Sequence, residues 1–147
     1  MKITVTAFIF NEDKLLVVFH KKLKKWMHVG GHVEPNEFFS EALEREILEE
    51  TKLKVSFLKI ETNTHSNSEE SLPFFIQHSE GTERKILIDY IVITKNPEDI
   101  QIQKSELEGF KWISKDELEN IDSFPVFLDI ARKAFEFYEK NRFQNIE

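Results

Sequence analysis

Three glutamates constrain this chain more than any other feature. Glu46, Glu49 and Glu50 stand at i, i+3 and i+4, so a helix brings their carboxylates to one face. Like charges at that spacing repel by about 0.2–0.5 kcal/mol per pair in an isolated helix. A merely solvated acidic face would lie opposite the apolar stripe. With about 3.6 residues per turn, Phe39, Ala42, Leu43 and Ile47 mark that stripe. Glu41 and Glu44 point away from it. Glu46, Glu49 and Glu50 continue the line of Phe39 and Ala42, so all three are expected to point inward. Inward carboxylates need a partner. Arg45 can pair with Glu49 at i+4, and a hard cation such as Mg2+ or Mn2+ takes carboxylate oxygens.

The surrounding stretch, GGHVEPNEFFSEALEREILEETKL from Gly30 to Leu53, resembles the Nudix box, G-x5-E-x7-R-E-U-x-E-E-x-G-U, with U a bulky aliphatic. Gly31, Glu37, Arg45, Glu46, Ile47, Glu49, Glu50 and Leu53 match in register, eight of nine specified positions. The second glycine is replaced by Lys52, and Val29 stands where the family carries a proline. A glycine at position 52 would end the helix in the left-handed region. Lysine reaches that conformation at a cost of about 1 kcal/mol, so a less stable or shifted helix end is expected, with the chemistry intact.

Composition narrows the class. A chain of 147 residues, 40% apolar with 14 Phe, is read as one domain, residues 1–147, with a sizeable core. A net charge of -7 argues against non-specific nucleic-acid or membrane binding. The absence of cysteine excludes disulfides and thiolate metal sites. No apolar run reaches the length of a membrane span and no signal-peptide pattern opens the chain. A cytoplasmic protein is expected.

The chain in order reads as follows. Residues 2–10 and 15–19 form a hairpin across the turn residues Asn11, Glu12 and Asp13. The stretch HKKLKKW, 20–26, holds the one basic cluster. It is either a lysine-protected edge or a patch steering phosphate, with Lys21 and Lys25 as substrate-binding candidates. Trp26 packs in the core or beside the site entrance. Gly30 and Gly31 permit close backbone approach. His32 is read as structural rather than as a ligand. Pro35 and Asn36 open the box helix, with Asn36 or Glu37 near its N-cap. A strand covers 54–64, a polar loop or mobile lid 61–72, and a short strand 73–78. Residues 79–82 form a turn. Lys85–Thr94 is the most apolar strand and is expected to be central. Asp89 within it either faces solvent or substrate or is hydrogen-bonded. A last strand covers 109–113. Ser114 and Glu117 form a capping box on a short helix, and a final helix covers about 124–141, its apolar stripe facing the core or a homodimer partner. The order predicts an α/β/α sandwich with a mixed sheet, which the resemblance also implies.

The resemblance implies Mg2+- or Mn2+-dependent hydrolysis of a nucleoside diphosphate linked to another moiety, by water attack on phosphorus. Carried over by position, Glu46, Glu49 and Glu50 are metal ligands or the base, and the Gly31 carbonyl is a further ligand. Arg45 orients the glutamates, and the Glu37–Arg45 pair braces the loop against the helix. Some members draw another glutamate from a loop before the last strand. Glu106 and Glu108 precede Trp112 here, and Glu106 fits better by spacing. The substrate is a small nucleotide, with a nucleoside triphosphate or oxidised purine nucleotide as the default. The runner-up function is a Nudix-fold binding or regulatory module without turnover.

Overall fold

The computed structural model describes residues 1–59, 71–79 and 83–145. It places helices on both faces of one eight-stranded sheet. The strands are β1 (Lys2–Asn11), β2 (Lys14–His20), β3 (Lys25–Met27), β4 (Val29–His32), β5 (Val55–Phe57), β6 (Phe75–Ser79), β7 (Lys85–Thr94) and β8 (Leu107–Ile113). The helices are α1 (Phe39–Thr51) and α2 (Pro125–Asn141). The sheet is mixed: β1 runs parallel to β7, and every other pairing is antiparallel. The expected α/β/α sandwich is the observed fold, with β3 as an added strand inside the basic stretch.

Alternation along β1 builds the two cores. Val5, Ala7 and Ile9 face α1 and pack with Ala42, Leu43 and Ile47. Phe8 and Phe10 face the other way, onto Phe127, Ala131, Phe135 and Tyr138 of α2. A strand with large apolar groups on both sides must be covered twice, and β7 repeats the pattern. It is central as expected, paired with β1, β5 and β6.

Several boundaries differ from the sequence reading. Helix α1 starts at Phe39, later than the opening expected at Pro35 and Asn36, with Phe38 as N-cap and Glu37 one residue before it. Asn36 takes a left-handed φ of 66°, which turns the chain before the helix, and Glu37 directs its carboxylate elsewhere. The Phe38 N–H donates instead to Glu41 Oε1 at 2.9 Å. The strand expected over 54–64 is ordered as β5 only at Val55–Phe57; its far end, the lid residues 61–70 and the turn residues 80–82 lie outside the described residues. Strand β6 begins two residues later than expected, and β8 begins at Leu107. The Ser114–Glu117 capping box is present, on a 3-10 helix over Lys115–Asn120. Among the described residues no helix is long and apolar enough to cross a membrane.

Candidate active site

Strand β4 and helix α1 build the site together. Strand β4 lies beside β1, with Gly31 opposite Val5 and Gly30 opposite Thr6. Neither glycine has a positive φ; their role is clearance. A Cβ on Gly30 would overlap the Val5 carbonyl oxygen, and one on Gly31 would overlap the Glu46 carboxyl group. The box glycine therefore makes the space that Glu46 fills.

Arg45 organises the acids around it. Its Nε and Nη2 donate to Glu37 Oε2 at 2.8 Å and Oε1 at 3.0 Å. Its Nη1 donates to Glu46 Oε1 at 2.9 Å, and Nη2 also donates to the His32 carbonyl at 3.1 Å. Glu49 Oε1 lies 3.6 Å from Nη1. Glu37 also accepts from the Glu34 N–H at 2.9 Å, so one carboxylate ties the 34–37 turn to the helix. The Arg45 hydrogen bonds hold the Glu37 carboxyl down to about 2. The same bonds to Glu37 raise the Arg45 guanidinium further above its ordinary range.

The three glutamates are not equivalent. Glu50 is buried and Glu46 half-buried, but the Glu49 side chain is 52% exposed. The expectation that all three point inward is therefore corrected. Glu49 follows Leu48, itself exposed, on the flank of the helix, while Glu46 and Glu50 share one line at i and i+4. Burial, then the nearby charges of Glu46 and Glu106, push Glu50 up to about 8. The Gly30 N–H, which donates to it, pulls the other way. Burial also raises Glu46, partly offset by Arg45. The two carboxyl groups are hydrogen-bonded to each other.

This donor set fits a hard divalent cation. Glu50, buried against Glu46, has no counter-charge of its own, because Arg45 reaches Glu46 but not Glu50. Oxygen-only donors select Mg2+ or Mn2+ over softer metals. Among the described residues no three acid or imidazole side chains are already converged as a metal cage. The site is a carboxyl pair, with Glu49 at its rim and Glu106 within electrostatic reach.

The other candidates fall into two groups. Glu106 sits on a loop that α1 anchors: the Gln103 N–H donates to the Glu50 carbonyl at 2.8 Å, and Gln101 to that of Thr51 at 2.9 Å. Lys21, just after β2, is tied to the same loop, its N–H bonded to the Glu106 carbonyl at 2.9 Å and its Nζ to that of Lys104 at 2.6 Å. Glu108 pairs with Lys24 at 3.1 Å. Lys25 lies apart, paired with Asp122 at 2.7 Å. Trp26 is half-buried against the α2-side core, with Lys111 over its ring. The His32 ring is at the surface, its Nδ1 3.2 Å from Thr4 Oγ1.

One element escaped the sequence reading. A cavity of about 390 Å³ opens between the sheet and α2, lined in part by Phe8, Met27, His28, Gln77, Phe124 and Phe127. Beside it lies Asp89, fully buried, its carboxyl accepting from Thr6 Oγ1 and from Gln77 Nε2 at 2.8 Å. Asp89 is thus hydrogen-bonded rather than solvent-facing. His28 is three residues before Gly31, so the strand rise puts cavity and acid pair roughly 10 Å apart along the backbone. A polar residue inside the most apolar strand was the one available signal.

Similarity to known proteins agrees with this geometry. The NUDIX domain model matches residues 1–134. A NUDIX-family hydrolase from Clostridium perfringens superposes with a TM-score of 0.78 at 28% identity, over 91% of this chain and 95% of that one. The MutT protein of Methanosarcina mazei Go1 shares the fold with a TM-score of 0.67 at 22% identity, over 96% and 94% of the two chains. A MutT NUDIX hydrolase from Burkholderia pseudomallei does so at 0.65 and 17%, over 92% and 96%. With the box residues gathered on α1 and β4, and the model matched across nearly the whole chain, this protein belongs to the Nudix hydrolase family.

Proposed function

We propose that the protein is a Mg2+- or Mn2+-dependent pyrophosphohydrolase that cleaves a nucleoside diphosphate-linked compound by water attack on a phosphorus. The observation that carries this is the Glu46–Glu50 pair: two carboxyls in mutual contact, Glu50 buried and opposed by the charges of Glu46 and Glu106, and Glu46 given room by Gly31. Glu46, Glu50 and the Gly31 carbonyl would hold the cation, with Glu49 joining from the rim. When bound, the cation supplies positive charge against the diphosphate oxygens and acidifies water. Arg45 fixes the Glu46 carboxylate, while Glu37 fixes Arg45. The attacking water gives its proton to Glu46 or Glu106, the carboxylates whose charges act on Glu50. Lys21, held on the Glu106 loop, adds positive potential at that side; Lys25, paired with Asp122, adds less. The cavity beside His28 takes the organic moiety of the substrate, a nucleoside triphosphate being the default.

The test is release of phosphate or pyrophosphate with Mg2+ across a panel of nucleoside triphosphates, nucleotide sugars, ADP-ribose and diadenosine polyphosphates. At least one should turn over, and Glu50→Gln should lower that rate by about 10²-fold or more. Calorimetric titration with Mn2+ should weaken sharply in Glu50→Gln. Unchanged Mn2+ binding in both Glu49→Gln and Glu50→Gln would overturn the metal assignment. A panel with no turnover at all would favour a binding module.

A further inference from the structure

The cavity against α2 has a polar floor whose orientation is fixed from behind. Asp89 on β7 exposes no surface. Its two oxygens are taken by the Thr6 hydroxyl of β1 and the Gln77 amide of β6. Strand register explains the reach: Thr6 lies directly opposite Asp89, and Gln77 lies opposite Leu87, one step of the pleat away on the same face. An oxygen of Asp89 that accepts from Gln77 forces that amide to turn its Nε2 inward. Its carbonyl oxygen is then left to the cavity side, which Gln77 lines.

His28 completes the floor. Its ring stands edge-on to Phe8 at 5.0 Å and to Phe127 at 5.2 Å. It is densely enclosed by protein yet keeps some accessible surface, and that surface opens onto the cavity it lines. Apolar walls with a few fixed polar groups are the makeup of a site that reads a flat heteroaromatic ring by its edge.

Resting on the hydrolase reading above, we propose that Asp89 is a positioning residue for nucleobase selection: by fixing the Gln77 amide, it sets which base the cavity accepts. Gln77 and His28 touch the base; Asp89 acts through Gln77. The discrimination comes from polarity. A base edge offering a donor to the Gln77 oxygen is accepted, and one offering an acceptor leaves two acceptors facing each other without a proton.

The experiment measures binding of the four nucleoside 5′-monophosphates AMP, GMP, CMP and UMP by calorimetry on the intact protein without added metal, so it does not depend on turnover. The wild type should rank the four with a spread of about tenfold or more. Gln77→Leu should compress the spread to about threefold or less, mainly by weakening the favoured base. Asp89→Asn frees the amide to take either orientation, and should compress the spread while leaving the melting temperature within a few degrees. Glu50→Gln should keep the full spread while losing hydrolysis, which separates this proposal from the catalytic one. If Asp89→Asn fails to fold, Gln77→Leu decides. Retention of the wild-type ranking in Gln77→Leu, equal weakening of all four ligands, or no measurable binding of any of them would overturn the proposal.

Discussion

Arg45 grips Glu37 with two hydrogen bonds, Nε to Oε2 at 2.8 Å and Nη2 to Oε1 at 3.0 Å, across eight residues of chain. A planar guanidinium can do this while its remaining nitrogen holds Glu46 at 2.9 Å. A lysine cannot, because its ammonium is a single point donor. Arg45→Lys should therefore lose about 1–3 kcal/mol of stability in urea unfolding and lower turnover by about tenfold or more as Glu46 loses its fixed position. Wild-type behaviour in both measurements would show that the brace is dispensable.

Glu50 gives the metal-free protein a defined pH dependence. Its folded value of about 8 lies above the ordinary carboxylate range, so between roughly pH 4.5 and 8 the folded state holds a proton that the unfolded state has released. Stability must then fall as pH rises through that window. The Glu37–Arg45 pair acts oppositely: the folded Glu37 value near 2 makes its contribution present above the ordinary range and lost only as pH falls toward 2. Thermal unfolding in a chelator should show the decline between pH 5 and 8, and Glu50→Gln should flatten it. A curve unchanged by that substitution would place the missing charge elsewhere.

Glu106 and Glu108 can be separated by kinetics. Glu106 acts on Glu50 through space, whereas Glu108 is spent on Lys24 at the surface. Glu106→Gln should reduce kcat by about 10²-fold or more, and Glu108→Gln by less than about threefold. If both retain full turnover while Glu46→Gln loses it, the base is Glu46.

Lys52 ends α1 with φ 63° and ψ 11°, its N–H bonded to the Leu48 carbonyl. A left-handed cap is the conformation glycine adopts without strain. Lys52→Gly should raise the melting temperature by a few degrees, equivalent to about 1 kcal/mol, with turnover unchanged. A lower melting temperature would mean that the lysine side chain makes a contact worth more than the backbone strain.

Periodicity carried much of the fold in the sequence. The alternation of Val5, Ala7 and Ile9 with Phe8 and Phe10 already demanded cover on both faces, and the stripe of Phe127, Ile130, Ala131 and Ala134 supplied one of the covers. The i to i+4 spacing of Glu46 and Glu50 likewise put those two carboxyls on one face, a local property of one helix, whereas the Glu37–Arg45 brace was implied by the box resemblance. Other features are contacts between strands distant in sequence. That Glu50 is buried while Glu49 is half in water depends on how α1 rolls against β4, and on the clearance at Gly31. That Asp89 is satisfied depends on β1 lying parallel to β7 and β6 antiparallel to it, which brings Thr6 and Gln77 to one carboxyl group. A sequence sets the chemistry each residue can offer and its local period. Which far-apart residues share a site is decided by sheet order, register and packing, whose energies are sums over the whole core.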